Sequence, residues 1–263
     1  MKKSALVLAA GLAAGVLLPT LAHADDGIAY NIGAVSDYRY RGISQSKLRP
    51  ALQGGVDYTK GAFYAGTWLS TIQWIDDTVD GYNNAASAAG SPTVSKGNAP
   101  VEWDLYLGTK GDVVKDLSYD VGLLAYVYIG GAKAFHSIGA ADPNTGEVYG
   151  ALTYGVFTGK VSVSPTNLFG VPDSKGSQYY DLSANFDLGS GFSLTPDAAY
   201  QNISKHSALS YSTYSLTLGK DFGKGLTASL AVVATDADKN LYYTSEGKFT
   251  GRTGVVAGVK YSF

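Results

Sequence analysis

The sequence predicts an all-β fold: a single antiparallel transmembrane β-barrel, twelve strands, preceded by a cleaved signal peptide. Three observations carry this reading. Twelve stretches alternate apolar and polar residues at period two, each near the ~10 residues that a tilted membrane strand needs. Short turns and long loops alternate between them. The composition is that of strands, with 33 Gly and 20 Tyr against a single Met. A mean hydropathy near zero, with no later apolar run long enough to span as a helix, fits a barrel, whose signal is weak per segment.

The chain opens MKKSALVLAAGLAAGVLLPTLAHADD. Lys2 and Lys3 form a basic start, an apolar run follows, and Ala22-His23-Ala24 fits a small-residue cleavage site. Residues 1–24 are therefore expected to be a signal peptide and residues 25–263 one barrel domain. A transmembrane helix fits less well, because the run is short and ends in Pro19 and the cleavage motif. The whole chain has a net charge of −2. Lys2 and Lys3 are the only charges of the leader, so the mature chain is more acidic still. That gives no basic footprint for nucleic acid. There are 0 cysteines, which excludes disulfides, thiol chemistry and Cys-ligated zinc.

In chain order, the first strand is expected over 28–40. Ile28, Tyr30, Ile32, Ala34, Tyr38 and Tyr40 lie on one face, with Asn31, Gly33, Asp37, Arg39 and Arg41 on the other. On this reading the aromatics of SDYRYRGISQS meet lipid and the charges line the lumen. The second strand, 51–58, sets Leu52 and Val56 against Gln53 and Asp57. The third, 62–74, has the least distinct face. The fourth, 101–110, sets Val101, Trp103, Leu105 and Leu107 against Glu102, Asp104, Tyr106 and Lys110. The fifth, 117–127, alternates Leu117, Tyr119, Val121 and Leu123 with Ser118, Asp120 and Gly122. The sixth (147–157) and seventh (160–168) are less regular, and Pro165 weakens the seventh because it cannot donate to a ladder. Of the remaining five, 180–187, 192–201, 214–222 and 252–263 alternate apolar with polar, while 226–235 is mostly apolar on one face and small on the other.

Short turns fall at 59–61, 111–116, 158–160, 188–191 and 222–225. Long loops fall at 42–49, 75–99, 130–146, 165–177, 202–211 and 236–249. An even strand count puts both termini on the short-turn side. A soluble β-sandwich also has many alternating strands, but its connections rarely alternate so regularly. The loop over 75–99 is rich in small and polar residues. It could plug the lumen or lie in solvent, and its composition favours solvent.

Residues 36–70, SDYRYRGISQSKLRPALQGGVDYTKGAFYAGTWLS, resemble the TorF-type porins, also labelled Gcw_chp. The resemblance runs over the whole mature chain, and the blocks SDYRYRG, PALQGGVDY and FYAGTW are its specific part. It implies an outer-membrane β-barrel of a Gram-negative bacterium, assigned as a porin on broad grounds. It brings no settled substrate and no catalytic site. The ending VKYSF looks like the aromatic signal read by the barrel-assembly machinery. Val259, Tyr261 and Phe263 would form its apolar edge.

Antiparallel closure sets the first strand beside the last, which predicts Arg39, Arg41, Arg49 and Arg252 gathered at the outer mouth. Such a cluster would attract anionic solutes, since guanidinium forks suit carboxylates and phosphates. Asp37, Asp57, Glu102 and Asp104, with Lys260, are the other lumen charges expected to set selectivity or to neutralise the arginines. The expected function is passive diffusion of small hydrophilic solutes, with anionic solutes an added expectation. The alternative is a plugged structural or binding barrel that acts through its outer loops. The expected partners are outer-membrane lipid, the assembly machinery and the solutes. No cofactor is implied, and the sequence leaves oligomeric state open.

An outer-membrane hydrolase is the weakest reading. Only His136 and His206 follow the leader, both in expected outer loops beside Ser137 and Ser207, and no G-x-S-x-G elbow is present. Residues 236–247, DADKNLYYTSEG, place Asp236, Asp238 and Asn240 at calcium-loop spacing. Leu241 stands where such a loop needs glycine, and Glu246 falls one position short, so a polar loop is expected there.

Overall fold

The computed structural model describes residues 26–95 and 98–263. The expected leader therefore lies outside the described residues. Strand β1 (Gly27–Val35) is followed by a small hairpin, β2 (Arg39–Tyr40) and β3 (Ile43–Ser44). The wall resumes with β4 (Ala51–Lys60) and β5 (Phe63–Thr71), then helix α1 (Trp74–Ala88). Next come β6 (Val101–Val114), β7 (Leu117–Tyr128) and helix α2 (Gly131–Ser137). The rest is β8 (Thr145–Tyr154), β9 (Phe157–Ser164), β10 (Ser177–Ala184), β11 (Phe186–Gly189), β12 (Phe192–Asn202), β13 (Tyr211–Gly223), β14 (Leu226–Thr235) and β15 (Gly254–Ser262).

All wall strands pair antiparallel with their neighbours in chain order, and β1 pairs with β15 from Asn31↔Ser262 to Val35↔Gly258. Both β10 and β11 pair with β12, so they are one strand interrupted at Asn185. The sheet is thus a closed barrel of 12 strands. Closure leaves no unpaired edge. Outward side chains such as Leu52, Leu107, Leu182 and Val255 are more than half exposed, whereas their alternates Gln53, Tyr106, Asp57 and Lys260 are buried around the axis. This is the reverse of a soluble protein. The apolar face is outside, and the buried cluster of Tyr38, Trp68, Ile72, Ile75, Val79, Tyr126, Tyr128 and Phe135 lies inside, at the long-loop end of the lumen.

The short turns need left-handed backbone, because a two-residue hairpin must match the strands' twist. Gly225 shows the demand most sharply. Its φ is 82° and an added Cβ would sit 2.0 Å from the Ser262 carbonyl oxygen. Phe263 closes the same end, stacked on Tyr30 at 5.7 Å and on Tyr261 at 5.6 Å.

Three sequence expectations are corrected. The first strand ends at Val35 rather than continuing to Tyr40, and the chain then turns into the barrel, so 42–49 is no outward loop. Residues 75–99 begin with a helix rather than a solvent loop, because Ile75, Val79 and Ala86 recur at helical spacing and are buried. The seventh strand stops at Ser164, directly before Pro165, which cannot donate to the ladder.

Candidate functional site

Residues 36–50 form the site. Hairpin β2–β3 turns at Arg41 (φ 48°) and Gly42 (φ 81°), both left-handed, as a two-residue turn between Tyr40 and Ile43 requires. A Cβ on Gly42 would lie 2.4 Å from the Thr235 methyl, so the turn is pressed against β14. Both faces of the hairpin are enclosed. Tyr38 is 0 % exposed, Arg39 2 % and Arg41 8 %. The expectation that Tyr38 and Tyr40 meet lipid is therefore overturned.

The enclosure is held by polar pairs that reach walls on several sides. Tyr38 donates its hydroxyl to Glu102 Oε1 at 2.5 Å, and Tyr128 donates to Glu102 Oε2 at 2.7 Å, which ties the segment to β6 and β7. Arg39 Nε donates to Asp37 Oδ2 at 2.6 Å, and its Nη1 donates to the Arg252 carbonyl at 2.7 Å. Ser44 Oγ donates to Asp37 Oδ1 at 2.5 Å, closing the hairpin base. Arg41 reaches the far side. It donates from Nη2 to both Glu147 oxygens on β8, at 2.9 and 2.8 Å, and from Nη1 to Gln201 Oε1 on β12 at 2.7 Å. Its guanidinium lies 4.1 Å from the Tyr179 ring centroid and 4.8 Å from that of Tyr40. The Tyr40 and Tyr126 hydroxyls are hydrogen-bonded at 2.5 Å. A segment bonded to β6, β7, β8 and β12 spans the lumen.

A second knot joins the segment to the long loops. Lys47 Nζ lies 2.8 Å from Asp77 of α1 and 3.1 Å from Glu246. Ser245 Oγ donates to Asp77 at 2.5 Å, and Lys248 Nζ donates to Glu246 at 2.9 Å. The hydrogen bonds from Lys248 and Lys47 hold the exposed Glu246 carboxylate down to about 2, so it is charged at neutral pH.

The expected four-arginine cluster divides. Arg39 and Arg41 are buried and paired, while Arg49 and Arg252 are exposed side chains, Arg252 meeting Arg39 only through its carbonyl. Asp37, Glu102 and Asp104 are buried with the segment. Asp57 and Lys260 line the axis below it, with Asp57 accepting the Tyr106 hydroxyl. Glu147 and Gln201 were missed from sequence. Each sits on the polar face of an alternating strand, but only the fold shows that Arg41 reaches them. Val259, Tyr261 and Phe263 are all outward and exposed.

His136 lies in α2 and His206 contacts the Pro172 carbonyl at 2.7 Å, while Ser137 Oγ donates to Ala134 O. Asp238 accepts from Asn240, Asp236 accepts from the Ser212 amide, and Glu246 is in the lysine knot, so these oxygens do not converge. Among the described residues no group of three metal-ligating side chains occurs.

A closed barrel with a polar axis and an inward-folded segment at its long-loop end defines a porin-like architecture. The chain belongs to the family described as "Bacterial protein of unknown function (Gcw_chp)", whose sequence profile matches residues 22–263. No functionally curated protein matches it. Among solved structures it is similar to the KdgM porin, at 9 % identity and a TM-score of 0.50, covering 90 % of this chain and 98 % of that one. The KdgM porin in complex with disordered oligogalacturonate matches at 8 % identity, a TM-score of 0.50 and the same coverage. The NanC porin matches at 9 % identity and a TM-score of 0.47, over 90 % of this chain and 99 % of that one. At such identities the likeness is one of fold.

Proposed function

We propose that this chain is an outer-membrane porin of the TorF type that lets small hydrophilic solutes diffuse through a lumen narrowed by residues 36–50. The observation that carries the reading is the inverted barrel: polar and charged residues face the axis on nearly every wall strand, and apolar residues face out. Such a wall is stable only with lipid outside. Residues 1–24 would direct export, and Val259, Tyr261 and Phe263 would be read by the assembly machinery. Both act before the folded barrel conducts.

The buried arginines no longer favour anions, because Arg39 and Arg41 already hold Asp37 and Glu147. With Glu147 set aside because Arg41 holds it, the axis-facing Asp57, Glu102, Asp104, Asp120, Asp181 and Asp197 still outnumber Lys110, Lys160 and Lys260. The reading is therefore a weak cation preference, since rings of acidic side chains raise local cation concentration. A planar-bilayer reversal potential across a salt gradient tests it. Preference for the cation is expected, and a clear anion preference would reject this assignment of the walls.

The plugged-barrel alternative has its own observation, the near-complete burial of Tyr38, Arg39 and Arg41. It predicts no current steps from folded wild-type protein, with the outer loops as the working surface.

A further inference from the structure

Above the segment lies a cavity of about 220 Å³ that diffusion through the lumen does not require. The segment, α1 and the outer loops converge on it. Its rim carries exposed Leu241 and Tyr243, and its floor carries buried Arg41, Gln201 and Tyr128. It thus runs from an open lip to a closed base.

We propose that this cavity is a binding site for one uncharged sugar ring, either a free neutral hexose or the end unit of a neutral saccharide. Two features of the wall define that class. The first is shape and polarity. Trp74, Phe169, Tyr211 and Tyr242 supply aromatic surface, while Gln45 and Thr250 interrupt it with polar edges. A sugar ring has the matching pattern, C–H groups on its face and hydroxyls round its rim.

The second is charge. Every charged side chain in the lining is already committed. Arg41 holds Glu147, Lys47 lies between Asp77 and Glu246, and Asp77 also accepts from Ser245. A charged ligand would have to break one of these pairs or remain unpaired itself, and both are unfavourable in an enclosed site. The volume is below the ~300–1,000 Å³ of pockets that take drug-sized ligands, so it suits one ring rather than a chain.

The proposal rests on the outer-membrane reading only in setting the cavity toward the exterior, and it holds whether or not the barrel conducts. The test uses the full mature chain folded in detergent micelles, titrated with methyl glucoside and followed by calorimetry and tryptophan fluorescence. Glucuronate, glucosamine and phenol serve as anionic, cationic and flat aromatic comparators. The expected result is saturable binding of methyl glucoside, at least about tenfold tighter than any comparator. Trp74→Ala, which removes aromatic wall from the cavity, should weaken it. Should that variant misfold, Tyr243→Ala at the exposed rim reads the same cavity, and weaker binding is again expected. No saturable binding, equal or better binding of a charged sugar or of phenol, or no effect of either folded variant would overturn it. Bilayer current is not read, so loss of conduction and loss of binding are separable results.

Discussion

The two ends of the barrel are built differently. At the short-turn end, Lys110, Asp120, Lys160 and Asp181 are only partly buried on the axis-facing side, and tight turns join the strands. At the long-loop end, the same polar wall face is covered by a hairpin, two helices and loop contacts, and Glu102, Glu147 and Gln201 are all but inaccessible. Alternation alone specifies the first arrangement. The second needs particular partners, because a charge taken out of water must meet an opposite charge or several donors. The lesson is that wall and constriction obey different rules on one polar face: Glu147 of β8 and Lys160 of the adjoining β9 both face the axis, yet only Glu147 is spent on the segment.

The largest expected effect of a point change follows from that contrast. Arg41→Ala leaves Glu147 buried without its cation, and removing one partner of a buried pair costs about 3–5 kcal/mol. The segment should leave the lumen, which would appear as increased proteolysis within 36–50 while the wall keeps its strand signal by circular dichroism. An unchanged cleavage pattern would mean that Arg41 does not anchor the segment. A smaller effect is expected for Tyr38→Phe. Glu102 loses one of two tyrosine donors, at a cost of about 1–3 kcal/mol. Thermal unfolding should shift modestly, with Tyr128→Phe comparable.

The smallest effect is on pH. The Glu246 carboxylate is lowered from 4.5 to about 2 in the folded chain by Lys248 and Lys47. A depressed folded value means that its stabilising contribution is fully present above 4.5 and is lost as pH falls toward 2. The group is exposed and screened, so the contribution is slight. Loop mobility at a spin label on Lys239→Cys, an exposed position of the same loop outside the knot, should stay constant around neutrality and rise only in that acid window. The absence of native cysteines makes the label unique.

Most of the wall was legible because lipid on one side and water on the other impose strict alternation. The segment was not, for the same reason. SDYRYRG alternates as a wall strand does, yet both of its faces are buried, so alternation could not tell lipid from lumen. The available signal was Arg41-Gly42 between two short β-prone pairs, a two-residue hairpin turn. Helix α1 had a signal too, in Ile75, Val79 and Ala86, masked by the small polar residues among them. The pairing of Arg41 with Glu147, 106 residues away, had no local signal at all.

Val35 and Ala51 are direct cross-strand partners, so residues 36–50 can be replaced by an Asn-Gly turn without altering the wall. Single-channel conductance of that variant beside the wild type measures what the segment does. If the segment is the constriction, the shortened barrel conducts several-fold more than the wild type and discriminates less between ions. Equal conductance from two well-folded proteins would contradict that, and would place the narrowest point elsewhere along the axis.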